Sequence, residues 1–165
     1  MANARNGKKA HSGRDAGGFV ALPWSVLDCP AYVALSVHAK ALLFEVARQF
    51  VRDNNGKLLL SRAYLEPRGW KSVDMISKAK RELLNGGFIH ETVKGHRPNK
   101  ASWYAITWQA LDRHHGYDHG AAESFERSAY RKTAPVKKLV KNAVLIPSHG
   151  TRGPAIAPPH GAESV

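Results

Sequence analysis

Between Lys71 and Asn85 the chain places Lys71, Ser72, Asp74, Ser77, Lys78, Arg81 and Asn85 among Val73, Ile76, Ala79, Leu83 and Leu84. At about 100° per residue the apolar set shares one side of a helix. Asp74, Lys78, Arg81 and Asn85 fall opposite, with Lys71, Ser77 and Glu82 on the flanks. Lys80 lies near the apolar edge and must run its stem along it. Ser72 is placed to cap the helix, and Asp74 suits the positive end of its dipole. Asn85-Gly86-Gly87 can take the left-handed backbone that ends a helix. The chemistry such a face offers is recognition. Lys and Arg reach phosphates or guanine edges, and Asn can pair with adenine. One amphipathic helix with a solvated cationic side has the same pattern, so the flanking elements must decide.

No comparable set supports catalysis, and neither a catalytic residue nor a cofactor is expected. Cys29 is the single cysteine and precedes Pro30 in an apolar stretch, so it forms no intrachain disulfide and has no evident base. Gly56-Lys57 fails as a phosphate loop, because Val51 stands where the first glycine is needed. His115 and His119 have helical metal spacing, with His114 beside them. Gly116 and Gly120 interrupt that stretch, which therefore reads as a polar linker without a metal.

The elements around the cationic helix are legible in order. Leu22-Pro23-Trp24 leads into one or two short turns around Val26, Leu27, Ala31 and Tyr32, broken at Cys29-Pro30. Trp24 and Tyr32 are expected in the core. Ser36 should cap a helix running to Val51, with Leu35, Ala39, Leu42, Leu43, Val46, Ala47 and Phe50 inward. Asp53-Asn54-Asn55-Gly56 is a turn, and Leu58-Leu59-Leu60 a short buried strand. Ser61 caps a short helix from Arg62 to Glu66, which Pro67-Arg68-Gly69 ends. After the cationic helix, Phe88–Val93 and Ala101–Trp108 read as a hairpin. Trp103, Ala105 and Thr107 face one way; Ser102, Tyr104, Ile106 and Trp108 face the other. Its loop carries Lys94, His96, Arg97, Asn99 and Lys100, a basic tip suited to phosphate or the minor groove.

That layout is a winged helix-turn-helix: an α+β fold of about three main helices and a β-hairpin wing. The run from Phe19 to Trp108 resembles winged-helix proteins of bacterial phages, plasmids and integrative elements. The resemblance rests on Leu22-Pro23, Leu35-Ser36 with Ala39-Lys40, Asn54-Asn55-Gly56, Arg68 to Ser72, and Leu83 to Ile89. It is also similar to the DNA-binding domains of phage and plasmid replication initiators. The Leu83–Ile89 junction is shared with MarR-like and GntR-like regulators, so it speaks for fold more than role. The resemblance implies a bacterial, cytoplasmic, nucleoid-associated protein that binds double-stranded DNA as a sequence-specific regulator or a replication factor. Its further partners would be a second copy of itself or a replication or transcription protein. Arg62 and Arg68 would flank the groove-entering helix.

Composition agrees with a polyanionic partner. The 165 residues carry a net charge of +12, with a mean hydropathy of -0.39. No apolar run approaches a membrane span. Three parts are expected: a disordered basic arm over residues 1–18, a domain over 19–112, and a basic tail over 113–165, rich in Pro and Gly towards its end and mostly disordered. By charge, the arm and the stretch 112–165 each contribute +3. A second reading stays open: a protein-interaction module whose basic ends hold RNA or DNA loosely.

Overall fold

A computed structural model describes residues 17–96 and 100–133. The arm up to residue 16, the tail from residue 134, and Arg97 and Asn99 lie outside the described residues. Among the described residues, five α-helices and a three-stranded antiparallel sheet make an α+β fold. In chain order these are α1 (Trp24–Leu27), α2 (Pro30–Val33), α3 (Val37–Ala47), β1 (Leu58–Leu59), α4 (Arg62–Leu65), α5 (Val73–Asn85), β2 (Ile89–Val93) and β3 (Trp103–Ile106). A 3-10 turn, Glu66–Arg68, follows α4, and another, Ala129–Arg131, closes the described chain. The sheet order β1-β3-β2 is compatible with a winged helix.

Serines start three of the helices. Ser36, Ser61 and Ser72 accept from the amides of Ala39, Tyr64 and Met75 at 3.2, 3.3 and 3.3 Å. Cys29 does the same for α2, accepting from Tyr32 N at 3.4 Å while donating to Val26 O at 3.1 Å. Trp24 departs from the expected core position and is 78% exposed. In a one-turn helix, residues two apart point about 200° from each other, so burying Val26 turns Trp24 outward.

α3 ends at Ala47, not at Val51. The reason lies just beyond its end. Gln49 sends its side-chain amide to β1, donating to Leu59 O at 2.9 Å and accepting from Leu59 N at 2.8 Å. Asn54 then holds Gln49 O at 2.7 Å and the Val51 amide at 2.7 Å. These bonds outcompete another helical turn, and they close the open edge of β1.

The sheet pairs Leu58 with Tyr104 on one side and Ile89 with Ile106 on the other. Both of its faces are covered. Tyr104 and Ile106 pack in the helical core, and Ala105 and Thr107 are equally buried. What covers the second face is the segment 113–133, expected as a linker and tail. His114 packs edge-on against Trp103 at 5.4 Å, and Phe125 against His90 at 5.5 Å. Asp118 N donates to Thr92 O at 2.9 Å, and Ser128 N to Thr107 O at 2.7 Å. Tyr130 is 2% exposed and stacks on Phe88 at 5.5 Å and 7°. Its hydroxyl lies 3.3 Å from Ser25 Oγ. Gly87, at φ +70°, admits this strap: a Cβ there would stand 2.8 Å from the Ala129 carbonyl carbon and the Tyr130 nitrogen.

The folded unit therefore extends past Asp112, at least to Thr133. Truncating a buried aromatic to alanine costs roughly 3–5 kcal/mol. Tyr130→Ala should lose stability on that scale in urea unfolding of the full chain. A change below about 0.5 kcal/mol, as for a surface site, would mean that the strap is not part of the cooperative core.

Candidate nucleic-acid interface

α5 has two distinct sides. Ile76, Ala79 and Leu83 are buried against α3 and the sheet. Glu82 strengthens this side: its Oε2 accepts from Ser36 N at 2.9 Å, tying α5 to the start of α3. On the other side Lys71, Ser72, Asp74, Lys78, Arg81 and Asn85 are exposed, and Ser77 is half-buried. Val73, expected on the apolar stripe, is 50% exposed at the helix start. Lys78 Nζ meets Asp74 Oδ2 at 2.8 Å, both side chains being more than two-thirds exposed. Such a surface pair is worth about 0–1 kcal/mol and exchanges easily for a phosphate. Lys80 takes the edge course its position dictates, with its ammonium 5.7 Å from the Tyr104 ring centre. Burial pushes the Tyr104 phenol up to about 12, so it stays protonated and donates to Glu91 Oε1 at 3.0 Å.

The two flanking arginines separate. Arg62 is exposed and pairs with Glu66 at 3.0 Å. Arg68 turns back instead, forming a close ion pair with Glu45 on α3 and lying 5.7 Å from the Tyr64 ring. Its side chain is 26% exposed. The hydrogen bond to Glu45 raises its pKa further, so Arg68 is a fixed cation bracing α4 against α3. The Glu45 carboxylate thus holds within the fold a guanidinium that the sequence offers as a flanking DNA contact.

The hairpin tip is built on backbone pairing. His96 and Lys100 exchange N–H···O bonds of 2.9 and 3.0 Å, and Gly95 N donates to Ser102 Oγ at 2.9 Å. A Cβ on Gly95 would come within 2.5 Å of Lys100 O and Ser102 N, so only glycine lets the strands approach there. Lys94, His96 and Lys100 are exposed. The strap reaches this tip through Asp118, within the stretch that reads as a linker from sequence. Asp118 Oδ2 accepts from Lys94 N at 2.6 Å, and its Oδ1 lies 3.4 Å from Lys100 Nζ. One carboxylate thus spans both limbs of the wing and partly offsets its positive charge. No local signal marks Asp118, because its partners are 24 and 18 residues away.

Of the strap's histidines, His114 serves packing, while His115 and His119 are exposed. His114 sits between Trp103 and Tyr117 and accepts from Gly116 N at 2.9 Å, and burial lowers its pKa. Among the described residues, no group of three His, Cys, Asp or Glu could hold a metal ion. Among the same residues, no helix is long and apolar enough to cross a membrane. In comparisons with family models, curated proteins and solved structures, nothing matches this chain.

The Lys94 N–H, more than Lys100, holds the Asp118 carboxyl below its ordinary value of 3.8. A depressed carboxylate pKa means that the contact is complete above 3.8 and lost as pH falls through the lower folded value. The Lys94 amide should therefore exchange slowly with solvent deuterium down to about pH 4. In Asp118→Ala it should exchange at its intrinsic, unprotected rate at every pH, with the rest of β2 still protected. Equal protection in wild type and Asp118→Ala would show that the wing is positioned without this carboxylate.

Proposed function

We propose that the chain is a winged-helix protein that binds double-stranded DNA, with α5 in the major groove and the β2–β3 tip on the flanking backbone. The observation that carries this is the division of α5. One side is fixed to α3 by buried apolar residues and the Glu82–Ser36 bond, while the other offers Lys78, Arg81 and Asn85 to solvent. A helix that is to read base edges must be rigid behind and polar-cationic in front. The succession α3, β1, α4, α5, β2, β3 with sheet order β1-β3-β2 supports the same reading, as does the net charge of +12.

In this reading Arg81 and Asn85 contact base edges. Lys78 leaves Asp74 for a phosphate or a guanine, and Lys71 and Ser72 meet the backbone at the helix start. Lys94, His96 and Lys100 take phosphates beside the wing. Arg62 adds a flanking contact, and Arg68 acts indirectly by holding α4. The role is regulatory or replicative, on a bacterial mobile element, with the nucleoid as its place. That part rests on the resemblance of Leu22-Pro23, Asn54-Asn55-Gly56 and Leu83 to Ile89 to such proteins. No catalytic step and no cofactor are assigned.

Each lost base contact costs on the order of 1–3 kcal/mol. Lys78→Ala with Arg81→Ala should weaken binding to a duplex selected from a random pool by about tenfold or more. Binding to unselected DNA should change much less, and circular dichroism should stay native. Undiminished affinity in the folded double variant would remove α5 from the interface.

A further inference from the structure

α3 is apolar on two sides. Ala39, Leu42, Leu43 and Val46 point into the core. Half a turn away, Val37, Ala41 and Phe44 form a second stripe that meets solvent. Val37 is 79% and Phe44 45% exposed, with Ala41 exposed between them. A helix with one buried side ordinarily carries polar residues on the other. A continuous apolar outer stripe marks a face that a partner covers.

The spacing and charges of this stripe indicate which partner. Val37 to Ala41 to Phe44 is a four–three step, and Arg48 at the C-cap lies four further on. That is the a/d spacing of a seam between two helices. Lys40 and Glu45 lie on opposite flanks of it, five residues apart. In a parallel pair related by a two-fold axis, Lys40 of each copy meets Glu45 of the other, twice. An antiparallel pair would set Lys40 against Lys40. The flanks are thus complementary to themselves, which a face for an unrelated partner does not require.

We propose that the outer face of α3 docks a second copy of this chain, α3 against α3 in parallel, with Val37, Ala41 and Phe44 as the seam. Glu45 receives Arg68 through Oε2, so Lys40 of the second copy joins an ion pair already in place. Within one chain the Lys40 ammonium lies 5.1 Å from the Tyr32 ring centre and 3.4 Å from Val33 O, exposed contacts that exchange readily. α5 packs on the opposite side of α3, so pairing leaves its cationic face open. Three seam side chains, even with Val33 nearby at 68% exposure, bury much less than the roughly 1,200 Å² of a standard stable interface. The dimer is therefore reversible. It goes beyond the DNA-binding reading and does not depend on it.

Sedimentation equilibrium of the full chain without DNA, from about 1 μM to about 500 μM, tests this. Wild type should pass from monomer to dimer within that range. Phe44→Lys and Lys40→Glu should each raise the dissociation constant by about tenfold or more, with native circular dichroism. Ala41→Leu, which enlarges the seam, should lower it. Wild type and Ala41→Leu both monomeric throughout would overturn the proposal, whatever else covers the face. So would a dimer that folded Phe44→Lys and Lys40→Glu leave unchanged.

Discussion

The described structure depends on one buried side chain, Asn55. It is 0% exposed, and both its amide and its backbone are fully engaged. Nδ2 donates to Ile106 O at 3.0 Å and Ala110 O at 2.7 Å, and Oδ1 accepts from Ile106 N at 2.8 Å. Its backbone N–H donates to Asp112 Oδ2 at 2.7 Å, and its carbonyl accepts from Asp112 N at 3.1 Å and from Tyr117 Oη at 3.1 Å. A buried amide left without partners costs about 1–3 kcal/mol per unmet group, so these bonds select one arrangement. They fix the turn before β1 onto the end of β3, and they start the strap across the sheet. Asp118 follows Tyr117 directly and holds the wing. The position of the hairpin tip is thus set from the turn at Asn55, through the strap, rather than by the hairpin alone.

α5 is set from a second direction. Its start is capped by Ser72, its middle is tied to Ser36 by Glu82, and its end is stopped by the Phe88–Tyr130 stack against Gly87. None of these contacts uses Lys78, Arg81 or Asn85. Structural bonds and outward-facing polar groups are kept on separate sides of the helix, which lets the outer groups change partners without loosening the fold. Charge is moderated in the same way. Asp74 and Asp118 each hold a lysine of the proposed interface at the surface, where a polyanion can take their place at little cost.

What could be read from sequence was what is decided locally. The caps at Ser36, Ser61 and Ser72, the span of α5, and the two strands of the hairpin follow from short-range pattern. What could not be read is decided at long range. Tyr117, Ala121 and Phe125 stand four apart, but Gly116 and Gly120 interrupt any helix there, so the strap looks like linker until β2 and β3 supply a surface for it. Glycines and histidines strengthened that impression, although His114 and Gly116 are used in packing. The end of α3 is set by Gln49, which bonds to a strand ten residues away. Arg68 carries the charge of a phosphate contact, yet Glu45, 23 residues earlier, claims it.

The DNA-binding reading is tested most directly by amide chemical-shift mapping of the full chain with a duplex enriched from a random-sequence pool. The largest changes should fall on residues 71–85 and on Lys94 to Lys100, with little change on the buried side of α3. Failure of any duplex to enrich, or changes confined to residues 113–133 and the outer face of α3, would contradict it.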